Sequence, residues 1–184
     1  MKINYKIELL TDWHVGSGLD SGADADTLVL KDENNLPYIP GKTVKGLLRD
    51  SLNEIKEVKK LTESEIDVLF GEEAEKYDLE RKKIYFSNVE LSETEKLEII
   101  TNKLSSHLYK NIASTKIEKK TGVAAQNSLR TMEVCIPLSL VGSIETEIEN
   151  AKDIFETAFK WTRNLGVNRN RGLGRCKFSI NEKS

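Results

Sequence analysis

The chain has 184 residues, 38% of them hydrophobic and 32% charged, and a formal net charge of −2. That length holds one domain with a substantial core, or a domain with an insertion. The apolar share is too high for disorder, and charge breaks it too often for a membrane span.

Ile3, Tyr5, Ile7 and Leu9 alternate with polar neighbours, the period of a half-buried strand, and no apolar leader precedes them, so no export is expected. A loop rich in Gly and Asp runs from Gly16 to Asp24, followed by a short strand-like run Thr27–Leu30 and a turn at Asp32–Asn35. The stretch Leu36-Pro37-Tyr38-Ile39-Pro40-Gly41 then leads into a helix with Thr43 as its predicted N-cap and Val44, Leu47, Leu48, Leu52 and Ile55 at helical spacing. Its first turns carry Lys42, Lys45 and Arg49, so outward amides and cations together suit a phosphate.

Thr62-Glu63-Ser64-Glu65 has capping-box character and predicts a short second helix through Ile66, Leu69 and Phe70, stopped by Gly71. Lys83–Leu91 reads as the second strand. Residues 105–130 are polar, basic and too long for an ordinary connection, which predicts a projecting arm. Met132, Val134, Ile136, Leu138 and Leu140 alternate as a third strand. From Asn150, Ala151, Ile154, Phe155, Ala158, Trp161, Thr162 and Leu165 share one side of a helix that Gly166 should end, and Cys176, Phe178 and Ile180 alternate in the last strand.

Without its insertions the order is strand, helix, strand, strand, helix, strand. This predicts an α+β, ferredoxin-like (RRM-like) antiparallel sheet with two covering helices, as one domain over 1–184 with a basic hairpin inserted at about residues 105–131. Cys135 and Cys176 lack metal-type spacing and read as buried thiols of a reduced, cytoplasmic protein with no membrane partner.

The net charge hides an uneven distribution. Between Lys103 and Arg130 the only acid is Glu118, against Lys103, Lys110, Lys116, Lys119, Lys120 and Arg130. No acid falls between Thr157 and Ile180, where Lys160, Arg163, Arg169, Arg171, Arg175 and Lys177 lie. Two basic segments on a mildly acidic body point to a localised polyanion site. In Asn168–Arg175, Gly172 and Gly174 stand among three arginines. Glycine lets a backbone approach phosphate, and arginine binds its oxygens in pairs, although the same residues also suit a plain helix-to-strand turn. In the loop Trp13-His14-Val15-Gly16-Ser17-Gly18, His14 is either an acid–base group or a structural hydrogen-bonder, and Trp13 reads as core.

The His14–Gly18 loop, the Pro37–Arg49 segment and Arg171-Gly172-Leu173-Gly174-Arg175 together resemble the RAMP superfamily of CRISPR-associated proteins, most of all the repeated backbone subunit of type III effector complexes. The resemblance runs through nearly the whole chain. It implies an RRM-like subunit that stacks with copies of itself and other effector subunits along a CRISPR guide RNA, its thumb hairpin kinking the duplex with complementary target RNA. It further implies target cleavage supported by a loop aspartate and a divalent cation, magnesium or manganese. The pattern Ala25-Asp26-Thr27-Leu28-Val29-Leu30 carries that role, and the metal contact, onto Asp26, with Asp24 as second choice and Asp20 nearby; all three also suit solvated turns. The RNA contacts implied are His14, Gly16, Gly18, Lys42, Thr43, Lys45, Arg49, Lys116, Lys119, Lys120, Arg130, Arg169, Arg171, Gly172, Gly174 and Arg175. Three other readings share the fold: an architectural subunit without chemistry, a repeat-processing endoribonuclease using His14, and last a generic messenger-RNA binder, for which Lys83–Leu91 and Met132–Leu140 lack base-stacking aromatic pairs. The chain is short for a backbone subunit, and its acidic stretch Thr62–Arg81 suits a protein neighbour or plain solvent.

Overall fold

The computed structural model describes residues 1–18, 26–59, 66, 70, 84–118, 120–126 and 128–181. In chain order its elements are β1 (Lys2–Leu9), α1 (Gly41–Lys59), β2 (Ile84–Phe86), α2 (Glu93–Thr101), β3 (Tyr109–Ser114), β4 (Arg130–Cys135), β5 (Ser139–Thr146), α3 (Ala151–Trp161) and β6 (Cys176–Ile180).

β1 is the centre because alternate residues Ile3, Tyr5, Ile7 and Leu9 all need burial, and each is at most 2% exposed. It pairs antiparallel with β5 on one side (Tyr5 opposite Gly142) and with β6 on the other (Tyr5 opposite Ile180). β2 adds antiparallel to β5, giving the order β2-β5-β1-β6, the ferredoxin-like sheet. α1 and α3 pack on each other, α1 against β2 and α3 against β6. α1 contributes Val44, Leu48, Leu52 and Ile55 to the core, and α3 contributes Ala151, Phe155, Ala158 and Phe159. Phe159 stacks on Phe178 with ring centroids 5.2 Å apart, and Phe155 meets Phe86 edge-on at 5.8 Å. Each such buried ring contributes about 1.5–3 kcal/mol of apolar burial.

Several boundaries differ from the expected ones. The single strand Met132–Leu140 is two strands, because Pro137 has no N–H to continue a ladder. β4 pairs with β3 in a separate two-stranded sheet, and β5 alone joins the main sheet. The second strand is only β2; Val89 and Glu90 make isolated bridges to Ile39 and Val141. α2 is an unexpected helix with its signal in plain view: Ser92 and Glu95 form a reciprocal capping box. α1 begins at Gly41, so Thr43 lies in its first turn and is not its N-cap. α3 ends at Trp161, short of Gly166, where Thr162 turns to extended backbone. Trp161 is thereby 51% exposed and not core. Of the short second helix, Ile66 and Phe70 are described, helical and buried; the rest of that stretch, with most of the acidic segment to Arg81, lies outside the described residues.

Candidate nucleic-acid interface

The start of α1 sits hard against the end of β2. A Cβ on Gly41 would fall 2.1 Å from the Phe86 carbonyl oxygen, so the Pro40-Gly41 pair is what lets the helix begin there. The Gly41 N–H donates to Asn88 Oδ1 at 3.2 Å, and the Thr43 N–H donates to the Pro40 carbonyl at 2.9 Å. These amides, expected to face a phosphate, are engaged within the fold, and the cationic side chains remain for that role.

The loop between α3 and β6 is sewn to the segment after β1. Gly174 N–H donates to Asp12 O at 2.7 Å, Leu165 N–H to Gly174 O at 2.9 Å, and Val167 N–H to His14 O at 3.0 Å. The loop's tip is a short 3₁₀ turn, Arg169–Arg171, entered through Asn168 at φ 57° and left through Gly172 at φ 91°. His14 is 2% exposed, and its Nδ1 donates to the Glu133 carbonyl at 2.6 Å, so the ring braces this corner from inside and does not face solvent as an acid–base group would. Glu133 in turn accepts from Val29 N–H at 3.0 Å and pairs with Lys31 at 2.8 Å. Gly16 and Gly18 stand exposed at the mouth of the same loop.

These constraints bring the start of α1 beside the arginine loop. A cleft of about 350 Å³ is lined by Lys42, Thr43, Gly46, Asp50, Gly166 and Arg169 among others. Lys45 and Arg49, one helical turn apart, do not line it. Burial, and then the Arg49 charge, hold the half-buried Lys45 ammonium below its ordinary pKa. Arg171, Gly172 and Arg175 are exposed on the same loop outside the cleft, and Gly174 is buried beneath it.

The basic stretch is a hairpin. Its ladder runs from the Tyr109–Cys135 pair to the Ser114–Arg130 pair, and Ile117 bridges Ala124 nearer the tip. It stands on Trp13, which is fully buried, exchanges two backbone bonds with Cys135 and donates Nε1–H to the Ile136 carbonyl at 3.1 Å. Lys116, Lys120 and Arg130 are exposed along this arm; Lys119 lies outside the described residues.

Asp26 is exposed beside β4. Its N–H donates to Thr131 O at 2.8 Å and its Oδ2 accepts from Thr131 N–H at 2.7 Å. Asp20 and Asp24 lie outside the described residues. Among the described residues no three His, Cys, Asp or Glu side chains gather to hold a metal ion. Both cysteines are free and buried. No helix among the described residues is long and apolar enough to cross a membrane.

Helical spacing alone put Trp161 on the buried side, whereas it is exposed and lines a neighbouring cleft with Arg169.

No curated protein matches the sequence. Among solved structures, the chain is similar to one from a cryo-EM structure of the type III-B Cmr-beta complex bound to cognate target RNA. The TM-score is 0.76 at 12% identity, covering 98% of this chain and 97% of the other. It is also similar to one from the apo state of type III-B Cmr-beta, with a TM-score of 0.69 at 12% identity, covering 100% and 98%. At such identity the likeness shows a shared fold. The model of the RAMP superfamily matches residues 6–177, and the chain therefore belongs to the RAMP superfamily.

Proposed function

We propose that this chain is an RNA-binding subunit of a CRISPR type III effector complex, gripping the guide RNA through its sugar–phosphate backbone while copies of itself or other subunits continue the assembly. The observation that carries the reading is the cleft shared by Lys42, Thr43 and Arg169, two segments more than a hundred residues apart in sequence whose cations meet in one groove. Arginine and lysine contacts to phosphate are indifferent to base identity, as a subunit that must accept any guide requires. Membership of the RAMP superfamily, and similarity to chains from Cmr complexes, one of them bound to target RNA, support the same reading. The basic arm supplies further cations for the guide–target duplex.

The test is RNA binding by the full chain across a salt series. Replacing Lys42 and Arg169 by Ala should weaken binding and lower the salt slope by about one for each phosphate left without its cation. Unchanged affinity and slope would remove the basis of the proposal.

A second reading adds cleavage of complementary target RNA at Asp26, favoured by the exposure of that carboxylate beside Thr131 of the arm. Its chemistry would be to accept the proton of a ribose 2′-OH aligned with the adjacent phosphate. Asp26→Asn separates this reading from a purely architectural subunit, because Asn still accepts the Thr131 N–H bond but is not a base. Loss of cleavage with target binding intact supports the catalytic reading; unchanged cleavage leaves the architectural one.

A further inference from the structure

We infer that Trp161 is a stacking platform for one unpaired nucleobase of the RNA strand held in the neighbouring cleft; this rests on the RNA-binding reading above. The two tryptophans of the chain have opposite environments. Trp13 is fully buried, whereas Trp161, at the end of α3, is 51% exposed. Trp161 is nonetheless fastened. Its Nε1–H donates to Glu54 Oε2 at 2.9 Å, and the next residue, the buried Thr162, shares a hydrogen bond of 2.7 Å with Ser51 on α1. An indole held by its edge keeps a face open and has little freedom left to lose when a flat ligand stacks on it.

Its surroundings fit a nucleotide. A second cleft of about 390 Å³ is lined by Trp161, Arg163, Asn164, Arg169, Asn170 and Asp50 among others. It shares Leu47, Asp50 and Arg169 with the cleft at the start of α1. A strand with one phosphate between Lys42 and Arg169 thus continues past Arg169 and brings its next base to the indole. Asp50 and Glu54 repel phosphate, so the backbone keeps to the arginine side and the base turns inward. There the Asp50 carboxylate can accept from base amino or imino groups, while base–aromatic stacking is indifferent to sequence. Apart from Trp161 and Leu47 the lining is polar, unlike the apolar centre of a protein contact.

The test titrates the full chain with a short single-stranded RNA and with a strand of equal length lacking its bases. Intact RNA should quench the Trp161 emission in the wild type, while Trp161→Leu, which keeps Trp13, should show no quenching and bind intact RNA about tenfold or more weakly. Trp161→Phe should restore most of the affinity, and the abasic strand should bind the wild type and Trp161→Leu alike. Thermal melting of each variant reports the fold. Wild-type affinity in Trp161→Leu, with weakened binding in the Lys42/Arg169 variant, would overturn this inference and leave the RNA-binding reading standing. Equal weakening toward intact and abasic strands would assign Trp161 a structural role instead. Normal RNA binding by Trp161→Leu with failure to assemble would make it a protein contact. If the wild type binds neither strand, the inference falls together with the reading it rests on.

Discussion

Gly174 is the position at which one methyl group should do the most damage to the proposed interface. The residue is buried at φ +68°, and a Cβ built there lies 1.8 Å from the Leu165 carbonyl oxygen, far inside the 3.0 Å below which real Cβ atoms are essentially never found. Backbone, not a flexible side chain, stands in the way, so Gly174→Ala must force the two arms of the loop, at Leu165 and Gly174, apart. A left-handed φ on an L-residue costs about 1–2 kcal/mol. The shift also strains the Leu165-to-Gly174 and Gly174-to-Asp12 bonds, of 2.9 and 2.7 Å, each contributing about 1 kcal/mol. The combined loss is about 3–4 kcal/mol, or about 6–16 °C in melting temperature for a domain of this size. Gly172→Ala is the matched control. Its φ of +91° is just as unfavourable, but nothing lies within 4 Å, so only the conformational part, about 1–2 kcal/mol, is lost. Melting followed by far-UV circular dichroism reads both variants. Gly174→Ala melting with Gly172→Ala, or within a few degrees of wild type, would refute the reasoning that steric contact makes this glycine obligatory.

Gly46→Ala should act in the opposite direction: the site is exposed, helical and open, with nothing within 4 Å, so the variant gains about 0.8–1 kcal/mol of helix propensity and melts about 2–4 °C higher. Burial pushes the Cys135 and Cys176 thiols up to about 12 from 9.0. Both should therefore resist alkylation at neutral pH until the chain unfolds. The same shift favours the protonated thiol in the folded state, so the stability each contributes is complete below pH 9.0 and is lost as pH rises toward about 12, which melting at alkaline pH would show. Lys45 is held below 10.5 by burial and then by Arg49. Any share of RNA affinity that depends on its charge should decline as pH rises through a value under 10.5, and Arg49→Gln should move that decline upward. A pH profile unaltered by Lys45→Gln would show that Lys45 does not contact RNA.

Much of the fold was legible because its signals are local. The alternation of Ile3, Tyr5, Ile7 and Leu9 marks β1, the Val44–Ile55 stripe marks α1, and the run of cations around residues 105–130 marks the arm. Pro137 divides one apparent apolar alternation between two sheets, and the capping box at Ser92 was a local signal left unused. Trp161 follows the apolar spacing of α3, yet the helix ends there, and a residue in the last turn can be carried off the core whatever its spacing.

The site divides in the same way. Residue type determined which groups could hold a polyanion, since Lys and Arg, with hydroxyls and closely approaching backbone, carry that chemistry, and these stand in the sequence at Lys42–Arg49 and Asn168–Arg175. Tertiary structure alone decided which of them meet: Arg169 reaches the cleft at Lys42, whereas Lys45 and Arg49 turn aside and the amides of Gly41 and Thr43 are already taken. The physical reason is that periodicity and composition act over one or two turns of chain, while the pairing of α1 with the Gly166–Arg175 loop is set by β1 lying between β5 and β6, a register that only the packed sheet defines.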